Sequence, residues 1–434
     1  VSKRFTLYIV VAMLLGIVVG YACNQSITAP ESLKALAGYF SIATDIFLRL
    51  IKMIIAPLVF STLVVGIAHM GATASLGRVG LRTMGWFLFA SVISLLLGIV
   101  MVTLLQPGAE LNLPIPPADA SAGLKTSSLS LKEFITHLVP RSAAEAMANN
   151  EILQIVVWSI FFGVACAALG EKAKPVVSVI ESLVEITLKI TGYVMMVAPV
   201  AVFAAIAATV TTQGLGILLT YGKFIGGFYL SLGMLWLILI GLGFLVVGGH
   251  IGRLVKGIRE PILLAFSTSS SEAAYPKTLE QLERFGVSKR ISSFVLPLGY
   301  SFNLDGSMAY CTFATLFIAQ AYGIELTFAQ QLTMLLLLMV TSKGMAGVPR
   351  ASLVVIAATL AHFKIPEAGL LLILAVDQFL DMGRSATNVV GNSIATAVVA
   401  KWEGELKPRD PDAVPDTADI DRVGGSPAVE RSHG

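Results

Sequence analysis

The 434-residue chain has a formal net charge of +3, is 56% hydrophobic and is only 13% Asp, Glu, Lys and Arg, about half the charged fraction of a soluble domain. At a mean hydropathy of +0.81, the remaining charge cannot coat a water-facing surface of this size, which excludes a soluble enzyme and leaves an integral membrane protein. No G-x-x-x-x-G-K-[ST] loop or H-E-x-x-H motif is present, and Cys23, Cys166 and Cys311 lie far apart in apolar segments, so nucleotide hydrolysis within this chain, a zinc site and a disulfide framework are not indicated.

In chain order, residues 5–23, 53–77, 83–106, 152–170, 190–222 and 224–249 contain no Asp, Glu, Lys or Arg. A helix needs about 20 apolar residues to cross the hydrocarbon, so these runs predict spanning helices and exclude a barrel of ~10-residue alternating strands. The first run is too long for the core of a cleaved leader, and no small-x-small site follows it. Lys3 and Arg4 precede it, and basic residues recur after alternate crossings: Arg78 and Arg82, Lys172 and Lys174, then Arg253, Lys256 and Arg259. The opposite short loops hold little beyond Lys34 and Lys364. This asymmetry predicts a cytoplasmic N-terminus. Residues 108–150, rich in Pro, Ala and Ser, read as an outer loop, and residues 402–434, with eight acidic residues, four basic residues and four prolines, read as a disordered cytoplasmic tail.

Between residues 253 and 401 the chain repeats a pattern. Thr268-Ser269-x-x-x-Ala273-x-x-Pro276 matches Thr341-Ser342-x-x-x-Ala346-x-x-Pro349 at an offset of 73, and each is followed by an aspartate in an apolar segment, Asp305 or Asp377. Paired, interrupted hydrophobic segments in two halves are the mark of an inverted-repeat transporter, in which the Ser- and Gly-rich stretches form tips of re-entrant hairpins.

The last apolar segment, 368–400, carries Asp377, Asp381, Arg384, Ser385, Asn388 and Asn392. At roughly 100° per residue these six share one stripe about 100° wide on a helix otherwise built of Leu, Ile, Val and Ala. An internal Asp381–Arg384 ion pair is the plain structural reading. However, each charge at the bilayer centre costs roughly 2.5–3.5 kcal/mol, so Asp305, Asp377, Asp381 and Arg384 forfeit on the order of 10 kcal/mol before pairing. One pair leaves two carboxylates unexplained, and a substrate or ion site accounts for them.

Arg384 presents a planar fork suited to a carboxylate. Asp381 would take an ammonium, and Ser269, Ser270, Ser271, Ser385 and Asn388 supply polar groups for a second carboxylate. Aspartate or glutamate fits that set. Upstream, Asn303, Asp305, Gly306 and Ser307 interrupt another apolar helix; they read as a break whose carbonyls and carboxylate hold a cation, or more plainly as a glycine kink with a solvated aspartate.

These motifs carry a resemblance. The Ser-rich stretch 268–272, the N-x-D-G run 303–306, Ala346-Gly347-Val348-Pro349, and Asp377-x-x-x-Asp381-Met382-Gly383-Arg384-x-x-x-Asn388 occur in this order. The chain up to about Lys401 resembles the dicarboxylate/amino acid:cation symporter family, the bacterial glutamate transporter homologues. That resemblance implies an all-α membrane fold of eight spanning helices plus two re-entrant hairpins, assembled as a homotrimer. It implies scaffold segments at 1–72 and 108–213, and a mobile transport domain at 73–107 and 214–401 that moves like an elevator. By likeness Asp381 binds the substrate amine, Arg384 its side-chain carboxylate and Asn388 its main-chain groups. Ser270 and Ser271 lie at the inner hairpin tip, Ala346, Gly347 and Val348 at the outer, and Ser307 belongs to the same substrate set.

The departures concern the coupling ion. Where sodium-coupled relatives have an acid in the last helix this chain has Asn392, and their Tyr-x-x-Thr-Ser set is matched by Phe87-Leu88-Phe89-Ala90-Ser91. Hard oxygen ligands are lost at both places. Asn303, Asp305, Asp377 and Asn392 remain the cation or proton candidates, with Asp305 first and Asp377 second as proton carrier, and a retained sodium site as the alternative. Arg350 adds a cation beside the outer tip, facing either substrate or lipid headgroups.

The expected protein is therefore a proton-coupled importer of acidic amino acids in a bacterial inner membrane, both termini cytoplasmic, with no cofactor and no nucleic-acid partner. A C4-dicarboxylate importer, a sodium-coupled symporter and a substrate-gated anion channel are the rivals. A membrane-embedded enzyme needs an acid/base pair aimed at a scissile bond, whereas the acid cluster here faces an arginine suited to binding.

Overall fold

The computed structural model describes residues 2–68, 73–109, 136, 139–215, 221–341, 351–374 and 376–407. Among them the chain is helical nearly throughout, with a single isolated bridge between Val287 and Leu406. The helices are α1 (Ser2–Ser26), α2 (Pro30–Ala68), α3 (Thr73–Leu105), α4 (Ala143–Ala148), α5 (Ile152–Leu169), α6 (Lys174–Met195), α7 (Ala198–Gln213) and α8 (Gly222–Val247). There follow α9 (Ile251–Gly257), α10 (Arg259–Thr268), α11 (Ser271–Phe285), α12 (Lys289–Phe302), α13 (Asp305–Ala321), α14 (Phe328–Thr341), α15 (Ala351–His362), α16 (Leu370–Leu374) and α17 (Asp377–Trp402).

Among the described residues, five helices are long and apolar enough to cross a membrane (α1, α2, α3, α5 and α8), and the α6–α7 pair, bent by 49°, makes a sixth. The bend falls where Pro199 opens α7, since proline has no N–H to continue the preceding turn. Counting charge-free runs misplaces one boundary. The run 53–77 is only the last part of α2, which begins at Pro30 and carries Asp45, Arg49 and Lys52, and it continues past residues 69–72 into α3.

The distribution of side chains is that of a bilayer protein. Leu14, Leu15 and Val18 on α1 and Leu237, Phe244 and Leu245 on α8 are exposed, while Asp305, Asp377, Asp381 and Arg384 are buried. In water this arrangement would leave apolar surface solvated and desolvate four charges. In lipid the outer side chains meet hydrocarbon, and the charges are shielded by protein.

Two groups of helices pack within themselves. In the first, α2 lies against α5, α6 and α7, and α1 lies along α7. In the second, α17 is surrounded by α3, α8, α10, α11, α12 and α13, and α3 also packs on α13. Contacts of α2 with α11 and α12, and of α10 with α1 and α7, join the groups.

The repeated sequence pattern has a repeated structural counterpart. A helix pair, α10–α11, joined by Ser269 and Ser270, precedes α12, a two-residue break and Asp305, the first residue of α13. The pair α14–α15 precedes α16 and then Asp377, the first residue of α17. Both aspartates thus sit at helix N-termini, where the helix dipole favours a negative charge. Residues 342–350 between α14 and α15, and with them Ala346, Gly347, Val348 and Arg350, lie outside the described residues.

From the end of α17 onward the chain packs back on the helix ends. The Trp402 ring meets Trp86 edge-to-face with centroids 5.8 Å apart, and Glu403 pairs with Arg78 and Arg82 at 2.9 Å each. Glu405 pairs with Arg290, and Lys407 N donates to the Gly286 carbonyl at 2.9 Å. Residues 408–434 of the predicted tail lie outside the described residues.

Candidate functional site

Helix α17 is buried continuously from Leu380 to Ala400. Its Gly, Ala, Ser, Thr and Val residues let neighbours approach closely, and its polar stripe must find partners inside the protein. The stripe divides among three sets of neighbours.

The first set surrounds Arg384, which is fully buried. Its Nε lies 2.5 Å from Asp381 Oδ1, one turn earlier on the same helix. Its Nη1 donates to Ser307 Oγ at 3.0 Å, and Nη2 makes a longer, 3.5 Å contact to Ser385 Oγ. Asn388 joins α17 to the break before α13: its Oδ1 accepts from the backbone N–H of Gly306 (2.9 Å) and Ser307 (3.3 Å), and its Nδ2 donates to Ser307 Oγ at 3.1 Å. Both lone pairs of the Ser307 hydroxyl are therefore engaged, and its own proton is the one it has to give. In this conformation Asn388 thus ties α17 to the helix break before α13.

One turn further along α17 lies the second set. Asn392 Oδ1 accepts from Asn303 Nδ2 at 3.3 Å, and the same Nδ2 lies 3.0 Å from Asp305 Oδ2. Asp305 Oδ1 is 3.2 Å from the Ser94 hydroxyl of α3. A β-carbon at Gly391 would collide with Asp305 Oδ2, so the carboxylate is seated on the bare backbone of α17. The buried Phe87 ring lies close to Gly299 of α12, beside the Asn392 amide.

In the third set, Asp377 Oδ1 accepts from the Tyr310 hydroxyl at 2.7 Å. At the α10–α11 tip, Ser269 is buried and accepts from Gln378 Nε2 at 2.7 Å. Ser270 caps α11 by accepting from Ala273 N at 3.3 Å, and the buried Ser271 hydroxyl has no hydrogen-bond partner among the described residues.

Several residues in these contacts escaped the sequence reading. Ser94 lies one turn beyond Ser91 in a featureless apolar run. Tyr310 is a polar group within apolar α13, Gln378 lies beside the stripe on α17, and Gly391 acts by the absence of a side chain, as does Gly306, which the sequence marks only as part of the helix break. A β-carbon at Gly306 would run into the Arg384 carbonyl and lie 2.8 Å from Thr387 Cβ, both on buried α17. Gly306→Ala is therefore expected to cost about 1–3 kcal/mol through overpacking. The expected readout is a thermal midpoint in detergent lowered by a few degrees together with lost uptake; an unchanged midpoint and full uptake would contradict the close approach.

Among the described residues no group of three or more His, Cys, Asp or Glu is placed to hold a metal ion. What the site offers is one arginine–aspartate pair ringed by hydroxyls and amides, and one carboxylate ringed by neutral amides and a hydroxyl, both in the interior of an apolar bundle.

A model of the sodium:dicarboxylate symporter family matches residues 5–402. The chain is 38% identical over 405 residues to the proton/sodium-glutamate symport protein of Bacillus subtilis (strain 168), covering 92% of this chain and 93% of that protein. It is 39% identical over 411 residues to the C4-dicarboxylate transport protein of Laribacter hongkongensis (strain HLHK9), covering 93% and 90%. The proton/sodium-glutamate symport protein of Bacillus caldotenax is 39% identical over 404 residues, covering 92% and 94%.

Proposed function

The chain belongs to the sodium:dicarboxylate symporter family, a family of membrane transporters rather than enzymes, and on that premise we propose that it imports acidic amino acids, glutamate and aspartate, by proton symport. The observation that carries the substrate choice is the contact between Asp381 and Arg384, both buried. An acidic amino acid inserts into such a pair with its ammonium on Asp381 and its side-chain carboxylate on Arg384. That carboxylate takes Arg384 in place of the long Ser385 contact, and a guanidinium–carboxylate pair outweighs a single long bond to an uncharged hydroxyl. A C4-dicarboxylate brings a second negative charge toward Asp381 with no ammonium to meet it, which like-charge repulsion disfavours.

In this reading Asp381, Arg384, Ser385, Asn388 and Ser307, with Ser269, Ser270 and Ser271 from the inner tip and Ala346, Gly347 and Val348 from the outer, form the substrate site. Asn303, Asp305, Asp377 and Asn392 serve the coupling ion. The α10–α11 and α14–α15 pairs are the re-entrant hairpins. The transport domain, residues 73–107 and 214–401, slides against a trimerising scaffold of 1–72 and 108–213. The packing of α3 with α13 and α17 rather than with α2 supports this division. Both termini face the cytoplasm of a bacterial inner membrane, as the basic clusters suggest.

The second reading, a C4-dicarboxylate importer, is favoured by the 39% identity to a relative of that name. Asp381→Ser separates the two. In proteoliposomes it is expected to weaken aspartate and glutamate uptake by about 30-fold or more, since losing one partner of a buried charge pair costs roughly 2–5 kcal/mol, while succinate uptake is spared or improved. Equal losses for both substrates would remove Asp381 as the amine site, and succinate uptake that survives saturating aspartate in the wild type would favour the second reading.

A further inference from the structure

We propose that Gln378 is a positioning residue, a latch that pins the tip of the α10–α11 hairpin to α17 and must release before the tip can part from the substrate site. The inference rests on the transport reading above for its function, but on local geometry for its existence.

Ser269 is the hinge of the tip. It ends α10 with φ of +51°, the left-handed region, which is strained for a residue with a β-carbon. Glycine would adopt that conformation without this strain, but it has no hydroxyl. Backbone bonds hold the bend weakly, from Ser269 N to Phe266 O at 3.3 Å and from Ser270 N to Ala265 O at 3.2 Å. The short contact at the tip is the side-chain one, from Gln378 Nε2 to Ser269 Oγ at 2.7 Å.

Gln378 can act as an anchor because its own turn is fixed from the other side. The next residue, Phe379, has its carbonyl taken by the Tyr229 hydroxyl of α8 at 2.6 Å. The Tyr229 ring also lies against Gly383 of α17 and meets Phe266 of α10 edge-to-face with centroids 6.5 Å apart. The start of α17 is thus clamped by α8, and Gln378 transmits that clamp to the tip. Gln378 follows Asp377 and stands one turn before Asp381 and two before Arg384, so the hydrogen bond ties Ser269, the residue before Ser270 and Ser271, to the helix that carries the charged pair. The hairpin starts from the basic residues Arg253, Lys256 and Arg259 and returns to Arg284, Lys289 and Arg290, which puts its base, and the route past its tip, on the cytoplasmic side.

The test uses the full chain in inside-out membrane vesicles, with Cys23, Cys166 and Cys311 replaced by alanine and Ser270→Cys as the reporter. Labelling by a membrane-impermeant maleimide is followed without substrate. Gln378→Met, close in shape but without the amide, and Ser269→Ala are each expected to raise the labelling rate about three- to tenfold, the effect of losing one intramolecular hydrogen bond. The double variant is expected to label no faster than either single one, because both remove the same bond. Ser269→Gly in the Gln378→Met background is expected to bring the rate back toward the starting value by making the left-handed bend intrinsic. Unchanged labelling in the single variants, or additive effects in the double, would overturn the latch. Labelling needs no uptake, so a wild-type protein that transports no acidic amino acid while the variants behave as expected would count against the substrate reading and leave the latch standing.

Discussion

Arg384→Cys is expected to abolish glutamate and aspartate uptake, by two orders of magnitude or more. The guanidinium is fully buried and contacts Asp381, Ser307 and Ser385. Removing it takes away the site's fork for a carboxylate. It also leaves Asp381 as a buried carboxylate without its counter-charge, and breaking one partner of such a pair costs roughly 3–5 kcal/mol. A factor of 100 corresponds to about 2.7 kcal/mol, just below that range, so two orders of magnitude is the least loss expected. The cavity and the surviving Asp381 would suit a small neutral amino acid, whose ammonium still has a partner. Arg384→Lys is the companion variant. It keeps the charge but loses the planar fork, and it is expected to bind acidic substrates more weakly than the wild type yet better than the cysteine variant. Competition experiments on purified protein settle the matter: glutamate that displaces a bound probe from Arg384→Cys at the wild-type concentration would make the arginine purely structural.

Much of this site was legible because a bilayer makes polar residues conspicuous. Asp381, Arg384, Ser385 and Asn388 announced themselves as charges and amides in an apolar helix, and Ser307 and Asn303 by interrupting one; the fold brings all six to the contacts around α17 and the α13 break. The repeat was legible too, because two aspartates at equivalent positions open two helices. The sequence reading failed where a residue acts through what it lacks or through an ordinary group. Gly391 and Gly306 matter because they have no β-carbon, and Ser94 and Gln378 because of a neighbour far away in the chain. Helical periodicity placed all six stripe residues on one face, but it could not divide them among Ser307, Asn303 and Tyr310, since that depends on how α12 and α13 cross α17. Charge counting also clipped the front of α2, where Asp45, Arg49 and Lys52 interrupt the apolar run.

Uptake of glutamate is expected to proceed in sodium-free buffer when an inward proton gradient is imposed, and to collapse when a protonophore is added. A small cation stripped of water needs several oxygen ligands and at least one negative charge to offset dehydration in a low-dielectric interior. Among the contacts around Asp305 are the Ser94 hydroxyl and the neutral amides of Asn303 and Asn392, which add dipoles but no second negative charge to offset dehydration. The Phe87 ring lies close to Gly299 beside the Asn392 amide, so an apolar edge stands where a phenol would offer oxygen. A proton asks less of the same pocket: it needs a carboxylate to carry it and nearby groups that tolerate both the charged and the neutral form. Asn303 donates to Asp305 Oδ2 in either form, and a serine hydroxyl both donates and accepts. Asp305→Asn is accordingly expected to lose gradient-driven accumulation while retaining exchange of internal for external substrate, because the amide cannot give up a proton but preserves the packing against Gly391. Asp377→Asn, whose carboxylate is held by Tyr310, is expected to have the smaller effect. Accumulation that requires sodium and ignores the protonophore would overturn the proton assignment, and would do so without touching the pairing of Asp381 with Arg384 on which the substrate reading depends.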